Sequence, residues 1–241
     1  ILAGSDPKNP NTFLPPIFAA TLSTVALVLA LLLLKDTRAS IKPSKNKRIV
    51  SLIEALKVAN LSKLILISFI VTVVFASMES TFSLWSERTY NWGPKQNGYI
   101  FAFAGLCGVI VQGFLISKLV NRFGESFLCR LGMLMISLGM ISVALSYMQI
   151  HAYLSMALIA FGLGLFMPTI STLIVNIVSE DRRGWVLGVT QSSSSLARII
   201  GPALAGVFFE LLGKNSPYII GGLLLLLIVI LFNSSIKKAS Q

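Results

Sequence analysis

Two charged side chains stand inside long apolar runs. Glu79 is the single charge between Leu64 and Trp85, and Arg198 is the single charge between Gly184 and Phe209. A charge held in hydrocarbon costs about 3 kcal/mol on insertion scales, so it persists where it faces a cavity or a partner. At about 1.5 Å of rise per residue, Glu79 lies about 22 Å along its helix from Leu64 and Arg198 about 21 Å from Gly184, so the two are expected at one depth. The chemistry open to such a pair is a change of partner: carboxylate and guanidinium stay paired, or pair alternately, across or beside a substrate path. At helical spacing Gln191, Ser194, Arg198, Gly201 and Ala205 make one polar and small face, and Ser68, Thr72, Ala76, Glu79 and Ser83 make another. Both faces are expected to point away from lipid. Either the pair lies on a solute or coupling path, or it is a buried ion pair that fixes packing.

Other residues bear on movement rather than charge exchange. Pro202 has no amide proton, which leaves the carbonyl of Arg198 without a helical donor and predicts a bend there. Pro168 frees the carbonyl of Gly164 in the same way. Such bends serve either as gates or as plain packing kinks. Thr169, Thr172 and Asn176 share a helix face that either touches solute or bonds a neighbouring helix. Glu180, Asp181, Arg182 and Arg183 make a short charged turn, read either as a gate pairing with another loop or as solvated charge. Gly105, Gly108, Gly113, Gly132, Gly139 and Gly201, with Ala205, are read as surfaces for close helix approach. His151 is expected at an interface and Glu210 too far along its helix to sit at mid-membrane. No phosphate-cradling loop, nucleophile and base set or metal-ligand cluster occurs, so neither an enzyme nor a cofactor is expected. Cys107 and Cys129 sit in or beside apolar runs and give no disulfide framework.

The elements that must position these residues follow from composition. The chain is 55% hydrophobic and 12% charged, against roughly a quarter charged in a soluble domain. That much apolar surface needs a bilayer. Runs with one charge or none extend over Phe13–Leu34, Leu64–Trp85, Gln96–Ser117, Leu131–Ile150, Ala152–Ser179, Gly184–Phe209 and Asn215–Ile236, which predicts seven transmembrane helices. The net charge of +11 does not imply nucleic acid, because the basic residues lie between apolar runs and not in one patch. Lys35, Arg38, Lys42, Lys45, Lys47, Arg48, Lys57, Lys63, Lys118, Arg122, Arg130, Arg182, Arg183, Lys237 and Lys238 fall on one side, and Lys8, Arg88, Lys95 and Lys214 on the other. Cytoplasmic connections carry the basic excess. This predicts an outer N-terminus and a cytoplasmic C-terminus in a multi-pass protein of the cell, or inner, membrane.

The connection 35–60 is rich in Lys, Pro, Ser and Asn and reads as a basic cytoplasmic linker, with Ile49–Val58 as an amphipathic surface helix. It separates residues 1–34, an outer segment and one helix, from a six-helix bundle over 61–241. That unequal division, with Ile1 and not Met in first place, leads us to expect the C-terminal part of a longer protein.

Three stretches carry a resemblance. Met78 to Trp85, with Trp92 and Gly98, is similar to the seventh helix of the major facilitator superfamily and the outer loop after it. Gln112-Gly113 followed by Arg122, Gly124 and Glu125 resembles the end of the eighth helix and its cytoplasmic turn. The segment Gly162 to Pro168, then Ser179 to Gly184, then Arg198 to Pro202, resembles helices ten to eleven and is the most specific of the three. Within the superfamily the resemblance is to the drug/proton antiporters related to the tetracycline exporters. It implies an all-α membrane protein, the six-helix C-terminal half of a major facilitator fold plus one preceding transmembrane helix. It also implies alternating-access antiport of a small amphipathic solute or drug, protons as coupling ion, and a missing N-terminal half of the same protein as partner. Arg122 and Glu125 become gate candidates beside the 180–183 turn, although Ser117 stands where the family's loop pattern has an Asp. Rival readings are a seven-helix receptor, which fits the same topology, and a natural half-transporter that dimerises.

Overall fold

The computed structural model describes residues 13–33 and 59–236. The expectations for the outer segment 1–12, for most of the linker including the surface helix Ile49–Val58, and for Lys237 and Lys238 lie outside the described residues.

The described chain is helical, with no strand among the described residues. Helix α1 is Leu14–Leu33 and α2 is Ala59–Tyr90. Helix α3, Pro94–Ile110, passes through a π-helical turn, Val111–Leu115, into α4, Ile116–Phe123. Then come α5, Glu125–Ala144, and α6, Gln149–Asn176. A 3₁₀ turn at Glu180–Arg182 leads into α7, Arg183–Leu211, and the chain closes with α8, Ser216–Ile236. Six spans are long and apolar enough to cross a membrane, with α3 and α4 acting as one, and Ser216–Leu231 in α8 is a shorter apolar run.

The helix breaks follow local chemistry. Gly124 stops α4 and starts α5 at φ +76°, a left-handed value that a β-carbon disfavours. Pro94 opens α3 at a position whose amide would lack a partner anyway, and the Gln96 side chain accepts from the Gly93 amide at 3.1 Å. The turn between α5 and α6 falls at residues 145–148, which corrects the expectation of a break at His151. No charge marks that turn, so counting residues between charges slid past it. Instead Ser146 takes the end of the helix through its amide, 3.1 Å from the Val143 carbonyl.

The bundle core is an apolar cluster from α2 through α8, centred on Met78, Phe82, Trp85, Met133, Ile136, Met140, Phe166 and Tyr218. Small residues set the closest approaches. A β-carbon on Gly132 of α5 would lie 2.7 Å from the Gly162 carbonyl oxygen of α6, and one on Gly162 would lie 2.7 Å from that of Gly132. Gly139 and Gly201 are equally tight, whereas Gly105, Gly108 and Gly113 face open space, so the reading of all six glycines as contact surfaces is corrected for those three. Neither proline ends its helix: α6 runs through Pro168 and α7 through Pro202.

Candidate functional site

The position of the mid-helix charges follows from one contact between α2 and α7. A β-carbon on Gly201 would lie 2.6 Å from the Val73 carbonyl oxygen, so only glycine lets the backbones come this close. Across that contact the Ser77 hydroxyl reaches the Gly201 carbonyl at 2.9 Å and the Val73 carbonyl at 2.8 Å, one proton serving two acceptors. Ser77 lies half a turn before Glu79 and Gly201 lies three residues after Arg198. Fixing the first two brings the second two to one place.

There Arg198 Nη1 stands 3.7 Å from Glu79 Oε2, with the two side chains 60% and 51% exposed. Charge-assisted hydrogen bonds are about 2.7–2.9 Å long, so this is a loose electrostatic contact. Exposed pairs of this kind contribute about 0.2–1 kcal/mol, which makes the partners separable. The exposure also decides what the face can meet. Two charges at mid-helix on a surface open in this bundle are incompatible with hydrocarbon and require water or a further protein surface opposite them.

The other sequence candidates divide into those on this open face and those off it. Ser83, one turn beyond Glu79, is exposed, and so is Gln191, two turns before Arg198; Ser194 is half-buried. Thr72 is not on it: like Ser68 and Ala76 it is buried, turned away from the outer surface, and its hydroxyl donates to the Ser68 carbonyl at 2.8 Å. The stripe thus runs from buried positions at Ser68, Thr72 and Ala76 to exposed ones at Glu79 and Ser83. On α6, Thr172 and Asn176 are exposed while Thr169 is buried, its hydroxyl donating to the Leu165 carbonyl at 2.7 Å. No hydrogen bond or ion pair among the described residues joins Asn176 to Glu79 or Arg198.

Gly164 has a role that periodicity missed. A β-carbon there would lie 2.9 Å from Val111, the first residue of the π turn, so the glycine of α6 accommodates the wide turn in the α3–α4 span. π turns cluster at functional sites in general. Gln112 and Gly113, within this one, are exposed.

The two ends of the bundle differ. At the end bearing Gly124, Glu180 pairs with Arg183 at 3.2 Å inside its own turn, and Asp181 and Arg182 are exposed. Arg122 stacks over the Phe123 ring at 5.4 Å, and Glu125 opens α5; among the described residues neither forms an ion pair. At the opposite end, α2 is cross-braced to four neighbouring segments. Arg88 pairs with Glu210 at 3.3 Å and lies 4.7 Å over the Phe209 ring. Trp85 Nε1 donates to Asn215 Oδ1 at 2.8 Å. The Tyr90 hydroxyl meets Ser146 at 2.7 Å, and the Ser86 hydroxyl donates to Asn97 at 2.9 Å. Sequence composition marks Arg88 only as a basic residue between spans, and no local signal marks a partner 122 positions away.

A family model described as the Major Facilitator Superfamily matches residues 14–165 and 146–239. Multidrug resistance protein 2 of Bacillus subtilis is 26% identical over 223 residues, covering 88% of this chain and 54% of that protein. Quinolone resistance protein NorA of Staphylococcus aureus is 22% identical over 201 residues, covering 82% of this chain and 50% of that protein. The chain thus spans about half the length of these curated relatives. The crystal structure of the human organic anion transporter MFSD10 (TETRAN) superposes with a TM-score of 0.76 at 21% identity, over 90% of this chain and 56% of that one, a likeness of fold.

Proposed function

This chain belongs to the Major Facilitator Superfamily, and from that premise we propose that it forms one wall of an alternating-access transporter for a small amphipathic solute or drug. The single observation that carries the proposal is the loose Glu79–Arg198 contact, 3.7 Å apart on an open mid-helix face. A tight buried pair would resist separation; this one exchanges partners at low cost. Protonation of Glu79 removes its hold on Arg198, and a cationic group on the solute competes for the same carboxylate. Proton entry and solute exit then use one site in alternation, which is antiport. In secondary transporters of this build the substrate lies near the midplane between two halves, and access alternates as one half rocks against the other. The partner facing Glu79 and Arg198 is accordingly a preceding half of the same protein, in keeping with relatives of about twice this length. Both of those relatives carry names of drug resistance, which favours a drug-like solute. A receptor finds no support in this membership.

In this proposal 35–60 is a cytoplasmic linker between halves and 61–241 is the second half. Ser83, Gln191, Ser194 and Asn176 supply polar contacts along the path, and Pro168 and Pro202, with Gly164 and Gly201, are the points where α6 and α7 flex. The charged turns at Arg122–Glu125 and Glu180–Arg183 close the cytoplasmic side of the inner, or cell, membrane. The test is uptake and efflux of a fluorescent organic cation by vesicles holding the protein in the length its gene encodes, with an imposed proton gradient. Glu79→Gln is expected to abolish gradient-driven movement and to weaken exchange between unlabelled and labelled cation, since the carboxylate serves both. Arg198→Ala is expected to slow both. Normal gradient-driven transport by both variants would overturn the proposal.

A further inference from the structure

Backbone contacts divide the bundle into two bodies. Where α5 meets α6, a β-carbon on Gly132 would lie 2.7 Å from the Gly162 carbonyl oxygen, and one on Gly139 would lie 3.1 Å from that of Ser155. Where α5 meets α8, one on Gly222 would lie 3.0 Å from the Ser137 carbonyl oxygen. Hydroxyls tie the same helices: Ser142 meets Ser155 at 2.7 Å, and Ser137 donates to the Gly222 carbonyl at 2.7 Å. Gly164 of α6 seats Val111 and so adds α3 to this body. Among the described glycines, the other backbone contact between helices is Gly201 against Val73, which joins α7 to α2. At Gly221 of α8, between the two bodies, a β-carbon would instead meet side chains, those of Val74 at 2.8 Å and Met140 at 3.2 Å.

Polar bonds between the two bodies are confined to the Tyr90 end. From α2, Thr81 reaches Tyr218 at 3.2 Å, Trp85 reaches Asn215, Ser86 reaches Asn97 and Tyr90 reaches Ser146. From α7, the Phe208 carbonyl accepts from the Ser216 hydroxyl at 2.7 Å. Over residues 64–80 and 186–207, by contrast, the side-chain hydrogen bonds and ion pairs among the described residues stay within α2 and α7. The seam there is apolar. Val74 and Met78, one turn apart on α2, are buried, and Met140 is fully buried beside Val74 at Gly221. An unbranched thioether adapts its shape at low cost, so helices that meet through such side chains shift past one another more readily than helices in backbone contact. Pro202 marks the boundary on α7. It follows Gly201 directly, leaves the Arg198 carbonyl without a helical donor, and gives the helix a place to bend below its braced end.

We propose that residues 64–80 of α2 and 186–201 of α7 form one lever, which pivots on the braces at the Tyr90 end against the body of α3, α5, α6 and α8. Ser77 and Gly201 lock the two helices together, so Glu79 and Arg198 travel as a pair and lie close to the pivot. The far end of the lever moves most. There the separation of α7 from α6 changes, beside exposed Thr172 and Asn176. The charged pair thus keeps its register while the Gly124 end of the bundle opens and closes. Service in alternating access rests on the transport reading; the motion itself does not, because it follows from where glycines and hydroxyls hold the helices.

Nitroxide labels on exposed positions test this by dipolar electron paramagnetic resonance, in the protein of full encoded length held in lipid nanodiscs. Leu66→Cys with Leu187→Cys reports within the lever, and Leu187→Cys with Ile177→Cys reports across the seam at the Gly124 end. Leu211→Cys with Tyr147→Cys reports across the seam at the Tyr90 end. Cys107 and Cys129 are buried and take up little label. Distances are compared in acid and alkaline buffer, each with and without tetraphenylphosphonium. The Leu187–Ile177 distance is expected to shift or split by about 5 Å, one helical pitch, while the other two hold within about 2 Å, the scale of small helix shifts. Thr81→Val with Tyr90→Phe, which removes two braces, is expected to broaden the Tyr90-end distance as well. The proposal is overturned if the Leu187–Ile177 distance is the same in every condition, if the Leu66–Leu187 distance changes as much, or if removing the braces leaves the Tyr90 end as fixed as before. A rigid bundle with intact gradient-driven transport would leave the proposed function standing, and the expected shifts without transport would sink that function alone.

Discussion

The same chemistry has two meanings at residue scale, depending on what surrounds it. Glu79–Arg198 and Arg88–Glu210 are both loose carboxylate–guanidinium pairs, at 3.7 and 3.3 Å. The first stands alone on its open face. The second is embedded among a ring contact to Phe209, the Lys214 ammonium donating to the Arg88 carbonyl at 3.2 Å, and the Trp85–Asn215 bond beside it. Removal should therefore read out differently. Trp85 is almost fully buried, so Trp85→Phe leaves the Asn215 acceptor without its indole donor and is expected to cost about 1 kcal/mol of stability. Thermal unfolding in detergent checks this, and an unchanged midpoint would show that the brace contributes nothing. The Glu79→Gln substitution should shift the same midpoint less, because an exposed pair contributes about 0.2–1 kcal/mol and the glutamine keeps the shape.

Element packing turns on which glycines are pressed against a neighbour. Sequence periodicity treats Gly105 and Gly201 alike. In the fold a β-carbon on Gly201 would lie 2.6 Å from the Val73 carbonyl oxygen, while one on Gly105 meets nothing within 4 Å. Gly201→Ala should force α2 and α7 apart at a cost of about 1–3 kcal/mol and pull Arg198 from Glu79. Gly105→Ala should be neutral or stabilising by about 0.5–1 kcal/mol, the helix preference for alanine. Equal melting points for the two variants would contradict this packing. The π turn offers a sharper test. Gly164→Ala places a β-carbon 2.9 Å from Val111 and should destabilise, and Val111→Ala on top of it should restore part of the loss. If the two substitutions simply add, the glycine does not accommodate the π turn.

For the whole molecule, the exposed apolar surface is the dominant fact. Leucines, valines and phenylalanines lie open along α1 and over the outer faces of α3, α7 and α8, a surface that only lipid or protein can cover. The orientation inferred from basic residues has a direct check, because Cys107 and Cys129 are both buried and give little background. In cells, a membrane-impermeant maleimide should label Tyr147→Cys without permeabilisation and Ser179→Cys only after it; the reverse pattern would invert the topology. Much of this was legible in the sequence. Hydrocarbon tolerates almost no charge, so runs free of Lys, Arg, Asp and Glu marked the spans, and the same intolerance singled out Glu79 and Arg198. Local composition could also mark Gly124 and Pro94 as helix boundaries, since their backbone limits act on one residue at a time. What only tertiary structure decided are the relations between helices. These are the uncharged turn at 145–148, the point along each stripe where buried Thr72 and Thr169 give way to exposed residues, the π turn seated on Gly164, and the Arg88–Glu210 brace. Periodicity reports which residues share a face of one helix, and it carries no information about which neighbour, lipid or water that face will meet.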